Sequence, residues 1–181
     1  MALVLANETG HRIGAIRKLW WTDVDFDRRT IVWRAENEKT GYEHITPLSE
    51  EALEALSYAR AKTQGVDAAP VLPADKDPSR PINEWVMRDL WGKAEARAGL
   101  EPKYGRGWHS IRRKFATDLM QEPLSVLCGL GGWKDFETVL KCYQQPDQAA
   151  LRAALTRRKE LHEEPQQAQR KGPTGRLRLV K

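Results

Sequence analysis

The sequence has few of the features that mark secreted, metal-binding or membrane proteins. Its two cysteines, Cys128 and Cys142, have no cysteine or histidine beside them at the spacing of a zinc site, so neither a metal site nor a disulfide framework is indicated. No apolar run approaches the roughly 20 residues that a membrane span needs, and MALVLANETG lacks the basic region and cleavage site of a signal peptide. We therefore expect a cytoplasmic protein with reduced thiols and no membrane contact.

Length and charge narrow the class of protein further. The chain has 181 residues, which suits one globular domain with a tail, and it carries a formal net charge of +5. Its composition is otherwise ordinary, apart from seven tryptophans, and no internal repeat is visible. A basic balance favours a polyanionic partner, and nucleic acid is the first candidate.

Helical and β-like segments follow one another in an order that predicts a mainly α fold with a small antiparallel β-sheet or hairpin. LVLANETG is predicted to be a helix that ends at Gly10, and RIGAIRKLWW is predicted to be a second helix. TIVWR and HITPL are two β-like runs joined by a polar connection, which predicts a β-hairpin. The remaining predicted helices are EEALEALSYARAKTQ with Ser49 as N-cap, NEWVMRDLWGKAEARAG with Asn83 as N-cap, HSIRRKFATDLMQ, PLSVLCGL, DFETVLKCY and DQAALRAALTRRKELHEE. Residues 161–181 have too little apolar content to fold unaided and are expected to form a flexible basic tail.

Four basic residues could converge on one phosphate group. Arg12 opens the second helix, and its permanently charged guanidinium can clamp phosphate. Lys39 lies in the hairpin connection, where its ammonium can donate a proton to a leaving oxygen. His109 and Arg112 are three residues apart on a predicted helix, so both side chains leave from one face. The simpler interpretations are a surface ion pair for Arg12, a solubilising charge for Lys39, a cap or packed ring for His109 and a solvent-facing side chain for Arg112.

Two aromatic residues late in the chain could serve either packing or chemistry. Trp133 follows two glycines that permit a close backbone turn, so its indole N–H could donate to a phosphate oxygen, although tryptophan is more often a core residue. Tyr143 ends the predicted helix DFETVLKCY, where Val139 and Leu140 can share an apolar face with it. A phenol is a weak nucleophile unless a base or cations lie nearby, and the four basic residues could supply both.

These residues, in this order, resemble the catalytic domain of the tyrosine recombinases, the phage integrase family. The matching phrases are TGHRIGAIRKLWWTDVD, EKTGYEHITPL, WHSIRRKFATDLM and LGGWKDFETVLKCYQQPD, which extend from Thr9 to Asp147. The resemblance implies the catalytic-domain fold of that family over residues 1–160. The amino-terminal core-binding domain, with which these enzymes close a clamp on DNA, is expected to be absent from this sequence.

The resemblance also implies a reaction and a role for each candidate residue. The implied roles are phosphate binding for Arg12 and Arg112, proton donation and phosphate contact for Lys39, acid/base help for His109, phosphate contact for Trp133 and nucleophilic attack for Tyr143. Attack on a DNA phosphodiester would give a 3′-phosphotyrosyl bond, release a 5′-hydroxyl and permit strand exchange. No metal or other cofactor is implied.

Partners and alternatives follow from the same resemblance. It implies double-stranded DNA as partner, self-assembly to a tetramer through the C-terminal helix, and a gene carried by a bacterium, an archaeon or a phage. Family members commonly have an acidic residue three positions after the first arginine; that position is Ala15 here, and Glu8 is a candidate substitute. Two alternatives stay open, a DNA-binding relative with impaired catalysis and a type IB topoisomerase. The segment around Tyr143 is expected to be mobile or displaced when DNA is absent.

Overall fold

The structure is a computed structural model that describes residues 1–39, 41–63, 68–142, 148–149 and 151–158. The chain divides into two compact units, Met1–Gln144 and Gln145–Lys181. The helices of the first unit are α1 (Ala2–Thr9), α2 (Ile13–Ile16), α3 (Glu50–Thr63), α4 (Glu84–Arg97), α5 (Trp108–Asp118), α6 (Leu124–Gly131) and α7 (Phe136–Cys142). Its strands are β1 (Val24–Asp25), β2 (Thr30–Trp33) and β3 (His44–Pro47). The predicted fold class, mainly α with a small antiparallel sheet, is confirmed.

The sheet contains the predicted hairpin and one strand more. β2 and β3 pair antiparallel, with Ile31 opposite Thr46 and Trp33 opposite His44. β1 adds to the other edge of β2 through Val24 and Asp25. The sequence did not indicate β1, because two residues are too few to display the alternating pattern by which a strand is recognised.

The second predicted helix is much shorter than expected. RIGAIRKLWW suggested a helix through the tryptophans, but α2 ends at Ile16. The chain then runs beside residues 69–71, where Trp21 N–H donates to the Ala69 carbonyl at 3.0 Å and Val71 N–H donates to the Leu19 carbonyl at 2.8 Å. These long-range bonds satisfy the backbone in place of further helical turns, so tertiary pairing overrides the local periodicity.

The longer helices begin where the sequence predicts. The Asn83 side chain accepts a hydrogen bond from the Val86 N–H at 2.9 Å, which caps α4. The Ser49 hydroxyl accepts one from the Ala52 N–H at 3.2 Å, which caps α3. Both bonds satisfy backbone donors that a first helical turn leaves without partners.

Buried apolar side chains form two clusters in the first unit. The larger cluster lies between α1, α2, α3 and the sheet, and includes Leu5, Ile16, Ile31 and Leu56. The smaller cluster joins α5, α6 and α7 through Ala116, Leu127, Cys128, Trp133 and Val139. Since the candidate residues of the site come from α2, the hairpin and α5 to α7, the site lies where elements of both clusters meet.

Gly10 determines how closely α5 approaches the junction of α1 and α2. It ends α1 in the left-handed region with φ of 65°. A Cβ at this position would lie 2.3 Å from the Phe115 ring on α5, so a side chain here would force the helix away. The prediction that α1 ends at Gly10 is confirmed, and the close approach brings the start of α2 beside α5.

The remaining described residues form part of the second unit. Residues 148–149 and 151–158 are helical and exposed, within the helix that DQAALRAALTRRKELHEE predicts. The predicted tail at 161–181 lies outside the described residues. Within the described ranges, no helix combines the length and the apolar character that crossing a membrane requires.

Candidate active site

Four of the six predicted site residues line one cleft. Arg12 comes from the start of α2, Lys39 from the β2 to β3 connection, and His109 and Arg112 from the first two turns of α5. The cleft has a volume of about 310 Å³ and is completed by Ile13, Gly14, Glu84 and Trp108. Residues that are 100 positions apart in sequence therefore face one space large enough for a phosphate group and its neighbouring atoms.

Arg112 is a buried structural centre of this cleft. Its side chain is almost inaccessible, with the residue 1% exposed. Nη1 donates to the carbonyl of Gly10 and to the carbonyl of Gly131, both at 2.6 Å, and the guanidinium lies 3.8 Å from the centre of the Trp133 ring. The interpretation of Arg112 as a solvent-facing arginine is thus wrong. Its hydrogen bonds connect the end of α1 with the end of α6.

Arg12 is held on the rim of the cleft by a carboxylate. It is the N-terminal flanking residue of α2, with extended backbone, and its side chain is 27% exposed. Nη1 lies 3.6 Å from Oε2 of Glu38 and has no hydrogen-bond partner among the described residues. The ion-pair interpretation of Arg12 is therefore correct as far as Glu38 is concerned, yet the guanidinium still faces the cleft and can accept a further anion.

His109 and Lys39 are exposed residues that line the cleft. His109 is exposed in the first turn of α5. Its pKa is lowered first by partial burial and then by the positive charges of Arg113, Arg112 and Arg12, so the imidazole is neutral near pH 7 and can accept a proton. Lys39 is exposed in the hairpin connection, two residues after the end of a 3₁₀ helix, Ala35–Asn37.

The two aromatic candidates differ in what the structure describes. Trp133 is 4% exposed and belongs to the smaller apolar cluster, in line with the alternative of a core tryptophan, while its phosphate contact stays a prediction. Its ring covers the Arg112 guanidinium, which places it next to the cleft rather than across it. Tyr143, with the segment 143–147 for which mobility was expected, lies outside the described residues.

Sequence reasoning missed three residues beside the cleft, namely Glu38, His11 and His44. Glu38 is buried against Arg12, and Glu8, which was the candidate substitute for the acid absent at Ala15, instead accepts a hydrogen bond from the Ser49 hydroxyl at 2.8 Å. The Glu8 hypothesis is therefore wrong. For Glu38 and His11 the signal in the sequence was adjacency to Lys39 and Arg12, and adjacency does not distinguish a buried side chain from a solvated one.

The two histidines form a ring stack in which His11 is buried and His44 is half-buried. His11 lies flat on Trp33, with ring centres 3.6 Å apart, and its Nε2 is 2.7 Å from Nε2 of His44. His11 Nδ1 donates to the Thr9 carbonyl at 2.9 Å in the tautomer that leaves Nε2 as acceptor for His44. Burial first, and then electrostatic repulsion from His44, Arg112 and Arg12, lowers the pKa of His11, and burial also lowers the pKa of His44, so both rings are neutral near pH 7.

Gly132 packs against this histidine pair and cannot carry a side chain. Its φ is +64°, and a Cβ would lie 2.4 Å from His44 Nε2. We expect Gly132→Ala to lose about 1–3 kcal/mol from the strained backbone, before the added overlap. The check is the urea unfolding midpoint. Gly129→Ala, in α6 with nothing within 4 Å of its Cβ, is the control and should be neutral or stabilising; equal midpoints for both variants would contradict the expectation.

Comparison with known proteins shows the family and the fold of the chain. The family model for phage integrases matches residues 1–150, and the chain belongs to the phage integrase family. The fold is similar to that of XerA recombinase, with a TM-score of 0.68 and 21% identity over 87% of this chain and 55% of that chain. It is also similar to a Tn1549 transposon integrase in complex with transposon right end DNA, with a TM-score of 0.69 and 18% identity over 86% of this chain and 57% of that chain. The fold is thus that of a tyrosine recombinase catalytic domain.

Relatives in sequence are bacterial and longer than this chain. A Haemophilus influenzae protein, provisionally named an integrase/recombinase, is 26% identical over 151 residues, which are 82% of this chain and 37% of the relative. A Sinorhizobium fredii protein with the same kind of name is 30% identical over 113 residues, which are 62% of this chain and 57% of the relative. The chain therefore spans between about a third and three fifths of the length of these two curated relatives.

Proposed function

We propose that this chain is the catalytic part of a site-specific DNA recombinase that cleaves and rejoins DNA through Tyr143. The observation that carries the proposal is the cleft in which Arg12, Lys39, His109 and Arg112 meet. Two arginines, one lysine and a neutral imidazole suit a phosphodiester, which is anionic and has no acidic proton of its own. Membership in the phage integrase family supports the same reaction class.

In the proposed step, the phenolic oxygen of Tyr143 attacks the phosphorus of a DNA phosphodiester. The bond between phosphorus and the 5′ oxygen breaks, and a 3′-phosphotyrosyl bond forms. Arg12 and Arg112 stabilise the charge that accumulates on the nonbridging oxygens, and a donor of this kind is commonly worth about 10²- to 10³-fold in rate. His109, neutral at pH 7, takes the phenolic proton, while Lys39 protonates the departing 5′ oxygen.

Trp133 supports this step through Arg112. Its ring lies against the guanidinium, so it limits the positions that the buried charge can take. The family resemblance also implies a phosphate contact for the indole N–H. For that contact, the N–H edge of the Trp133 ring would have to reach the phosphate that Arg12 and Arg112 bind. Replacement by histidine, the usual residue at this position in the family, would retain a ring and a donor.

The test of the proposal is covalent trapping. The protein is incubated with a nicked suicide duplex that carries the binding site of its parent element, and the expected product is a protein–DNA adduct that survives denaturation. If DNA is bound without any adduct, a catalytically impaired relative is the better description. If plasmid without such a site is relaxed, a type IB topoisomerase is the better description, since that enzyme needs no paired sites.

Lys39→Ala is expected to slow cleavage of ordinary DNA by about 10²- to 10⁴-fold, because the alkoxide then leaves without a proton. DNA with sulfur at the 5′ bridging position should recover most of this loss, since a thiolate is a far better leaving group, with a thiol pKa of about 8.5 for cysteine. The measurement is the single-turnover rate of adduct formation on both substrates.

Lys62→Ala is the control for this experiment, because Lys62 is an exposed lysine on α3 outside the cleft. It should leave both rates unchanged. An equal loss on the oxygen and sulfur substrates for Lys39→Ala would show that Lys39 binds the phosphate without donating the proton.

The proposed partner is double-stranded DNA, and the working assembly is a tetramer on it. The helical residues 151–158 end in Arg157 and Arg158 and present exposed side chains, including Leu151 and Leu155. We expect the tetramer to form when this helix of one subunit docks on a neighbouring subunit. Light scattering of the protein with and without a cognate duplex measures the mass of the assembly directly.

A further inference from the structure

Glu38 is a buried acid whose surroundings are mostly cationic. Its side chain is 2% exposed and lies 3.6 Å from Nη1 of Arg12 and 4.0 Å from Nε2 of His11. Among the described residues, its Oε1 has no hydrogen-bond partner. A carboxylate removed from water in this way is costly unless cations compensate it, and Arg12 is a cation within ion-pair distance of it.

The backbone of the same residue closes the turn that carries Lys39. The Glu38 carbonyl accepts a hydrogen bond from the Gly41 N–H at 3.0 Å, and the Glu38 N–H donates to the Ala35 carbonyl at 3.2 Å. The side chain of Glu38 therefore points inward to Arg12, while the next side chain, Lys39, is exposed on the cleft. One residue thus connects the start of α2 with the hairpin connection.

We propose that Glu38 is a positioning residue of the site. Its carboxylate keeps the Arg12 guanidinium and the turn that carries Lys39 in a fixed position relative to each other. The catalytic consequence rests on the proposed function, whereas the positioning itself does not. α2 supplies no acid of its own for this purpose, since the position one turn after Arg12 is a buried alanine, Ala15. The contact comes instead from the neighbouring hairpin.

The charges around Glu38 are consistent with an ionised carboxylate that has been taken out of water. Burial raises its pKa, and the positive charges of Arg112 and then Arg12 oppose that rise. Arg12 faces it from α2, His11 from the link between α1 and α2, and Arg112 from α5. On acidification, Glu38 should therefore take up a proton, and lose its ion pair with Arg12, at a higher pH than a solvent-exposed glutamate would.

Glu38→Gln is the variant that removes the charge and keeps the shape. We expect the single-turnover rate of adduct formation to fall about 10- to 100-fold, since a displacement of a catalytic group by 1 Å can cost about 10²-fold. DNA affinity should change little, and Glu38→Asp should recover part of the rate. Glu36→Gln is the matched control, because Glu36 is an exposed glutamate two residues earlier, in the 3₁₀ helix that Glu38 caps, and it pairs with Arg34.

A double-mutant cycle distinguishes positioning from a general loss of structure. In an Arg12→Ala background, Glu38→Gln should reduce the rate of adduct formation by a much smaller factor than in the wild type, because only its effect on the position of Lys39 remains. If the two rate reductions simply multiply, the proposal is overturned. So would an equal loss for Glu36→Gln and Glu38→Gln.

NMR of ¹⁵N-arginine-labelled protein gives a readout that does not depend on cleavage. The Nε–Hε resonance of Arg12, assigned by its absence in Arg12→Lys, should shift and broaden in Glu38→Gln and stay in place in Glu36→Gln. If Glu38→Gln does not fold, Glu38→Asp, which lengthens the contact by one methylene, replaces it. An unshifted Arg12 resonance overturns the positioning role, whereas wild-type protein that forms no adduct overturns the proposed function only.

Discussion

Tyr143→Phe should abolish the covalent adduct on a nicked suicide duplex. Phenylalanine keeps the ring but has no oxygen to attack phosphorus, and the loss of a nucleophile in a hydrolytic enzyme is worth about 10⁶-fold. DNA binding should be unaffected, since a single hydroxyl contributes little beside the cationic surface. The measurement is a denaturing gel of protein and labelled DNA, together with fluorescence anisotropy for the affinity.

The other tyrosines of the chain provide the controls for this experiment. The sequence has four tyrosines, and Tyr58 and Tyr104 are exposed and outside the cleft. Tyr58→Phe and Tyr104→Phe should form the adduct at the wild-type rate. Persistence of the adduct in Tyr143→Phe, or its loss in one of the two control variants, would assign the nucleophile elsewhere.

Arg112→Ala is expected to damage both stability and cleavage. The variant removes two charge-assisted hydrogen bonds and leaves the buried carbonyls of Gly10 and Gly131 without their partner, a loss of about 3–5 kcal/mol in the free energy of unfolding. It also removes a charge from the cleft, for which we expect a further rate loss of about 10²- to 10³-fold in the protein that remains folded. Urea unfolding measures the first effect and single-turnover cleavage at low temperature measures the second.

Arg113→Ala provides the comparison on the same helix. Arg113 is exposed and donates to the Gly105 carbonyl at 2.7 Å, so its removal should cost at most about 1 kcal/mol. Arg112→Lys keeps the charge but has a single donor group, and should recover more of the cleavage than of the stability. Equal unfolding midpoints for Arg112→Ala and Arg113→Ala would refute the central position that the contacts give to Arg112.

How far the site was predictable from the sequence depended on the kind of feature. Arg12, Lys39, His109 and Arg112 were predictable as a set, because their types, order and spacing follow one chemical requirement and one family pattern. Glu38, His11 and His44 were not, because their positions depend on how the hairpin packs against the link between α1 and α2. Local periodicity also overextended α2, since backbone pairing with residues 69–71 is a long-range event.

The sequence by itself therefore determined the fold class, the family and the set of candidate cationic residues. The fold class follows from short-range patterns, namely side-chain periodicity, capping residues at Ser49 and Asn83, and glycines at turns, whereas the family and the candidate residues rest on the resemblance of the four matching phrases. Only the tertiary structure decided that Arg112 is buried beneath the cleft and that Glu38 faces Arg12. Burial and ion pairing are properties of how α1, α5 and the hairpin pack, and packing joins residues that are far apart along the chain.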